Sequence, residues 1–358
     1  KLPYNRRPKP SAFGGNRMIT IKEIANMMNV SPTTVANVIH GRTSKVSKEN
    51  VERIQQALKE HNYVPKMGLE ALTKGKTRLI IVVIHTTKRY TQTTVGDPFY
   101  SQTIGVLEEE IRRAGYYMML YIDRNLDNIF KTALSWNVAG IIAVTLSKTN
   151  YEKLCSLVDC PVVGIDTFME DTAPLPDTGY HVTLDDIGAG KQMVNYLVNT
   201  GFSNIIVISD AKIGSSALRA AGAKIALKEH NISTEKQWHM VLDTQKRRRD
   251  SQYNSLLALS GKKYVLFCTA DQLAFEVIGY LNEHGCYVPQ DISVCGFDDN
   301  PYAEFCVPKL TTMHQDIARK GELASEILFR LLSGEHVEEK AIRLPVELVV
   351  RKSVLPPD

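Results

Sequence analysis

Long apolar runs are missing from this chain. Runs such as Leu79–Ile84 and Ile205–Ile208 are strand-sized and far short of the roughly 20 residues a membrane-spanning helix needs. The first residues are polar and proline-containing, without the apolar stretch of a secretory signal. Six cysteines (Cys155, Cys160, Cys268, Cys286, Cys295, Cys306) include no Cys-x-x-Cys pair. That excludes a dense disulfide framework and reads as reduced thiols in cytosol. The nine histidines show no metal-ligand spacing, and no Gly-x-Ser-x-Gly elbow occurs. Lys74–Thr77 (KGKT) is not a phosphate-cradling loop, because Glu70 stands where that loop needs glycine. An enzyme is therefore not expected, and neither a metal nor a cofactor is called for.

What is present is 358 residues, enough for two or three domains. The net charge of +4 is small, but its distribution is uneven. Between Lys1 and Arg78, 15 Lys and Arg stand against 5 Asp and Glu, so the rest of the chain is net acidic. A small polyanion-binding module attached to an acidic body fits this asymmetry. Residues 1–17, rich in Pro, Gly and basic residues, are expected to be a disordered extension ahead of a start at Met18.

From Thr20 short helices are expected. "TIKEIANMM" has a Thr cap with Glu23 at capping-box spacing, and Ile21, Ile24, Ala25 and Met28 share one face. Pro32 suits the first position of a second helix, "PTTVANVI", whose Val35, Val38 and Ile39 point inward. Ser47 caps a third, with Val51, Ile54, Ala57 and Leu58 apolar. After Pro65 comes a linker, and from Arg78 apolar strands alternate with amphipathic helices in two series of about 110–130 residues. Continuous apolar strands separated by helices predict two doubly wound parallel sheets, and hence two α/β lobes with a ligand site between them at the strand carboxyl ends.

Two short helices joined by a tight turn, the second presenting small polar residues, describe a helix-turn-helix that reads the major groove. The segments "TIKEIANMMNVSPTTVANVIHG" and "VSKENVERIQQALKEHNYVP", with "SSALRAAG", "ADQLAFEVIGYLNEHGCYVPQDISVCGFDD" and "PKLTTMHQD" in order, resemble the lactose/galactose repressor (LacI/GalR) family over nearly all of Met18–Asp358. The resemblance implies an all-α headpiece (residues 18–65), a hinge (66–76) and a core like periplasmic binding proteins. Its first lobe would comprise residues 77–184 and 312–338, and its second residues 185–311 and 339–358.

The resemblance also assigns residues. Pro32, Thr33 and Asn37 occupy operator-reading positions. Asn37 could pair with adenine, and Thr33 could offer a hydroxyl or a methyl, whereas Pro32 gives only apolar contact. Thr20, Lys22, Ser31, Thr34 and Arg42 are candidates for phosphates, Lys22 equally for a solvated face. In the hinge, Leu72 is the candidate minor-groove wedge beside Ala71. Gly68, Leu69 and Glu70 depart from the family pattern and predict a hinge that folds only on DNA and adds less affinity than usual. For the effector, Asp97, Phe99 and Tyr100 sit at a strand-to-helix junction where relatives stack aromatics on ligand. Ser215 and Arg219 lie one helical turn apart, and Asp298 ends "VCGFDD". Arg219 could instead form an interlobe ion pair, and Asp298 could cap a helix. Ala270, before Asp271, stands where sugar-responsive relatives often carry Asn. Asp271 is included with it, and His85, Asp166 and Trp238 could also line the cleft, Trp238 equally serving the core. "KRRR" within Gln245–Asp250 is expected in a solvated loop.

The expectation is a cytoplasmic, homodimeric repressor of carbohydrate genes on a pseudo-palindromic operator, controlled by a sugar or phosphosugar. The alternatives are a cytosolic sugar-sensing protein without DNA work, or a regulator answering to a purine or other metabolite. No leucine heptads follow Val350, which argues against a lactose-repressor-type tetramer.

Overall fold

The computed structural model describes residues 19–39, 41–61, 63, 77–86, 93–167, 179–234 and 238–357, and the chain divides into compact units before and after Gly75. The hinge, with Gly68, Leu69, Glu70, Ala71 and Leu72, lies outside the described residues.

The first unit holds α1 (Ile21–Met28), α2 (Pro32–Ile39) and α3 (Lys48–Glu60). Thr20 and Glu23 form the reciprocal capping box at the start of α1, and Asn29 ends that helix in the left-handed region. Both devices satisfy backbone groups that a helix end leaves unpaired. Ser31 Oγ accepts from Thr34 N at 3.0 Å and so caps α2, whose first residue is Pro32. Ile24, Ala25, Val35, Val38, Ile54 and Ala57 are the buried centre. The apolar spacing of the three helices closes on this one small core.

The second unit contains two parallel sheets. The first comprises β1 (Leu79–His85), β2 (Tyr117–Asp123), β3 (Gly140–Val144), β4 (Val162–Ile165), β5 (Tyr180–Leu184) and β11 (Ala341–Leu344), in the order β11-β5-β4-β3-β1-β2. Helices α4 (Pro98–Arg113), α5 (Leu126–Ser135), α6 (Lys148–Leu157) and α12 (Ile317–Leu332) cover it. The second sheet has the order β7-β6-β8-β9, from β6 (Asn204–Ser209), β7 (His239–Val241), β8 (Tyr264–Cys268) and β9 (Ser293–Cys295). Around it lie α7 (Asp186–Asn199), α8 (Ser215–Glu229), α9 (Lys246–Leu257), α10 (Asp271–Glu283) and the short α11 (Tyr302–Phe305). Along β1, Ile80, Val82 and Ile84 enter one core while Ile81 and Val83 enter another. The side-chain period of two thus buries both faces, and the strand reads as continuously apolar.

The lobe boundaries near the C-terminus differ from the expected ones. β10 (Thr312–Gln315), placed with the first lobe from sequence, pairs with β12 (Val346–Val349) and bridges the second lobe through Cys295–Thr311 and Asp298–His314. β11, placed with the second, pairs in parallel with β5 of the first. Pro345 separates β11 from β12, so one extended stretch serves two sheets. Gln245–Asp250 is also not a loop. It opens α9, and Arg249 is buried, donating to the carbonyls of Asp243 and Thr244 and pairing with Glu276 at 3.4 Å. All six cysteines are unpaired thiols.

Candidate functional site

The strands β1, β3, β4 and β6, and the residues after β9, end at a cavity of about 330 Å³ within the second unit. His85, Thr145, Asp166, Asp210 and Asp298 line it from those strand ends, the position open α/β sheets favour for ligands. Thr145, Asp166 and Asp298 have positive φ (58°, 48° and 122°), a conformation L-residues adopt at a cost and that clusters at binding sites. The first lobe adds Asp97, which caps α4 by accepting from Phe99 N at 2.9 Å, and the edge-to-face pair Phe99–Tyr100 at 5.1 Å. Tyr100 donates to Thr145 Oγ1 (3.4 Å), which donates to the His85 carbonyl (3.0 Å). Burial holds the His85 imidazole below its ordinary pKa.

Arg219 reaches the cavity from α8. This placement depends on two helix glycines. A Cβ on Gly190 of α7 would meet the Arg219 carbonyl at 2.0 Å, and one on Gly222 would meet the Ile187 carbonyl at 1.9 Å. The close seam brings Arg219 Nε to Asp186 Oδ1 at 2.8 Å, while Nη1 donates to the Thr269 carbonyl (2.8 Å) and Asp298 Oδ1 (3.3 Å). The guanidinium lies 3.5 Å over the Phe297 ring centroid. Burial lifts the Asp298 carboxyl to about 7, with Asp97 pushing the same way and Arg219 opposing. Asp186 is also raised by burial, against Arg219. Among the described residues no group of three or more His, Cys, Asp or Glu could hold a metal.

Asp97, Phe99, Tyr100, Ser215, Arg219, Ala270 and Asp298 line the cavity together, with His85 and Asp166. Asp271 and Trp238 do not. Asp271 is fully buried, accepting from Asn300 N (2.9 Å) and Thr312 Oγ1 (2.6 Å), and so ties the start of α10 to β10. Trp238 packs against the second-lobe core, with Lys224 5.5 Å from its ring. Arg219 pairs within the second lobe rather than between lobes. Sequence reasoning missed Asp210, which accepts from Ser216 Oγ at 2.6 Å, and Gln315, which donates to Asp298 at 2.5 Å. It also missed Lys320, whose only sequence signal is a lysine in the buried stripe of α12.

In the headpiece, Pro32 and Thr33 are exposed and Asn37 is half-buried on α2, while Val35 and Val38 face the core. Thr33 and Asn37 stand four residues apart and share a face. The hydroxyls of Thr20, Ser31 and Thr34 are engaged in capping, Ser31 with Thr34 at 2.9 Å. Lys22 and Arg42 are exposed.

Residues 20–66 match bacterial regulatory proteins of the lacI family, and residues 194–354 a periplasmic binding protein-like domain. The chain is 30% identical over 346 residues to the HTH-type transcriptional repressor PurR of Histophilus somni (strain 129Pt), covering 94% of this chain and 99% of that protein. The chain belongs to the LacI family. It is a DNA-binding, ligand-responsive repressor and not an enzyme. The PurR repressor of Mannheimia succiniciproducens is 31% identical to this LacI-family chain over the same length and coverage. A structure of the lac repressor dimer bound to operator and the anti-inducer ONPF shares the fold, with TM-score 0.79 and 22% identity over 95% of this chain and all of that one. The regulator CelR in its cellobiose complex shares it with TM-score 0.67 and 22% identity, over 94% and 99% of the two chains.

Proposed function

We propose that this repressor answers to a small polyhydroxylated ligand of the carbohydrate class held between its lobes, and controls carbohydrate genes. One observation carries the reading: the cavity's large aromatics, Phe99 and Tyr100, sit together on one side, while carboxylates, amides and hydroxyls line it from both lobes. Phe99 and Tyr100 supply an apolar platform from the first lobe, and Asp298, Asn300, Gln272 and Ser215 offer acceptors and donors from the second. Sugars present an apolar C–H face and a rim of hydroxyls, which suits this division. The cavity lies at the low end of the usual range of about 300–1,000 Å³, which favours a ligand of one or two rings. Arg219 and Lys320 already pair with carboxylates, so a neutral sugar is favoured over a phosphosugar.

A nucleobase is the second reading, because Asp298 and Arg219 form an acceptor–donor pair that matches a base edge. Among the described residues, though, no second-lobe aromatic faces Phe99 across the cavity to complete a stacking sandwich. On the DNA side we infer a homodimer whose two headpieces read half-sites about one helical turn apart, with Thr33 and Asn37 on base edges. Lys22 and Arg42 would meet phosphates. Effector binding would shift the balance between DNA-competent and incompetent states by its difference in affinity for them.

A thermal-shift screen of the chain against sugars, phosphosugars and nucleobases tests the ligand class. A ligand at 100 times its Kd stabilises by about 2.7 kcal/mol. Stabilisation by an unphosphorylated sugar is expected, and hits confined to purines would overturn the carbohydrate assignment.

A further inference from the structure

Helix α12 turns Ile317, Lys320, Gly321, Ala324 and Leu328 inward, and one member of that stripe is charged. Lys320 is 1% exposed. Its ammonium donates to both Asp166 oxygens, at 2.9 and 2.8 Å, and to Gln315 Oε1 at 2.9 Å. An ammonium has three protons, so its donor capacity is used in full.

The consequence falls on Gln315. Its amide can present either oxygen or NH2 in a given direction, and only the hydrogen-bond partners decide which. Lys320 can only donate, so the amide oxygen must face it. The NH2 then points at Asp298, where Nε2 meets Oδ1 at 2.5 Å. Asp298 is faced by groups of both signs. Asp97 from the start of α4 and Asp271 from α10 oppose its charge. Arg219 from α8, Gln315 from β10 and Lys320 from α12 favour it. Asp299 beside it is held separately by Arg351 (2.7 Å) and His314 (3.0 Å).

We propose that Lys320 is a positioning residue of the effector site: by locking the Gln315 amide it keeps Asp298 a carboxylate that accepts from ligand hydroxyls. Remove the ammonium, and the amide is free to turn its oxygen toward Asp298, an arrangement that requires the protonated acid. Asp298 titrates at about 7, so a modest change at Gln315 moves it across the working range. The inference rests on reading the cavity as the effector site, but its test needs no ligand and fails or succeeds independently of the ligand screen.

The full chain is labelled with [13Cγ]aspartate, the Asp298 signal is assigned by its loss in Asp298→Asn, and its pH midpoint is followed by NMR. Lys320→Met and Gln315→Ala should each raise the midpoint by about one pH unit, the size of a lost hydrogen bond to a charged group. In the Gln315→Ala background, Lys320→Met should add only a small further rise. If Lys320→Met does not fold because Asp166 is left unpaired, the neutral pair Asp166→Asn/Lys320→Met gives the reading, with the same upward move expected. An unmoved midpoint would overturn the proposal. So would an equal rise with and without the Gln315 side chain, because Lys320 would then act as a distant charge and not through the amide.

Discussion

Replacing Gly222 with alanine places a methyl carbon 1.9 Å from the Ile187 carbonyl oxygen, where heavy atoms in contact sit at roughly 3.5 Å. The obstacle is backbone, so no rotamer change relieves it, and α7 and α8 must part by an ångström or more. Against fixed backbone this costs about 2–3 kcal/mol, the upper part of the range for overpacking. Alanine recovers about 1 kcal/mol through its better helix propensity, so the balance is a loss of about 1–2 kcal/mol. For a core of this size that lowers Tm by about 2–6 °C. Gly105 in α4 and Gly279 in α10 are the controls, since a Cβ there meets nothing within 4 Å. Alanine at either should raise stability by up to about 1 kcal/mol. Calorimetric melting of the three variants distinguishes the signs. The seam also sets Arg219 against Asp186, so Gly222→Ala should weaken effector binding as well. A Gly222→Ala protein that melts at or above the parent would refute the reasoning.

Thr20→Ala removes the reciprocal cap of α1 and should cost the headpiece about 1 kcal/mol, visible as an earlier headpiece transition in circular dichroism. Asn37→Ala should lose about 1–3 kcal/mol on selected DNA and relax preference at one base pair, whereas Lys22→Ala should lower the salt slope by about 1 without changing preference. Competition binding across salt concentrations separates the two. Asp298 holds its proton to about pH 7 in the fold against an ordinary value of 3.8. Its contribution to stability is therefore complete below about pH 4 and lost as pH rises through 7. Asp298→Asn should flatten that part of a Tm–pH profile, and an unchanged slope would show that another group titrates there.

Much of this architecture was legible because local rules and the fold agree. The capping box at Thr20, proline opening α2 and the two-sided apolar strands each carry a local signal that the packing then uses. Asp97, Arg219 and Asp298 were legible through the resemblance to the LacI/GalR family, and all three line the cavity. What escaped depends on contacts distant in sequence. Arg249 looks like one of four exposed basic residues until Glu276 and the Asp243 carbonyl close around it. Asp271 shares its motif with cavity residues, yet Thr312 and the Asn300 backbone, from 29 to 41 positions away, consume its carboxylate. β11 and β12 form one extended stretch broken by Pro345, and nothing local says that its halves join different sheets. Lys320 breaks the stripe of α12, and its meaning depends on Asp166, 154 residues earlier.

The most direct measurement is fluorescence anisotropy of the full chain on DNA selected from random sequence, with and without the unphosphorylated sugar that most raises its Tm. The expected result is salt-dependent binding whose affinity changes at least fivefold with the sugar, a coupling of about 1 kcal/mol. The same sugar should leave Arg219→Met bound to DNA at unchanged affinity. Equal DNA affinity with and without the sugar in the unmodified chain would contradict control of the headpiece through the cavity between the lobes.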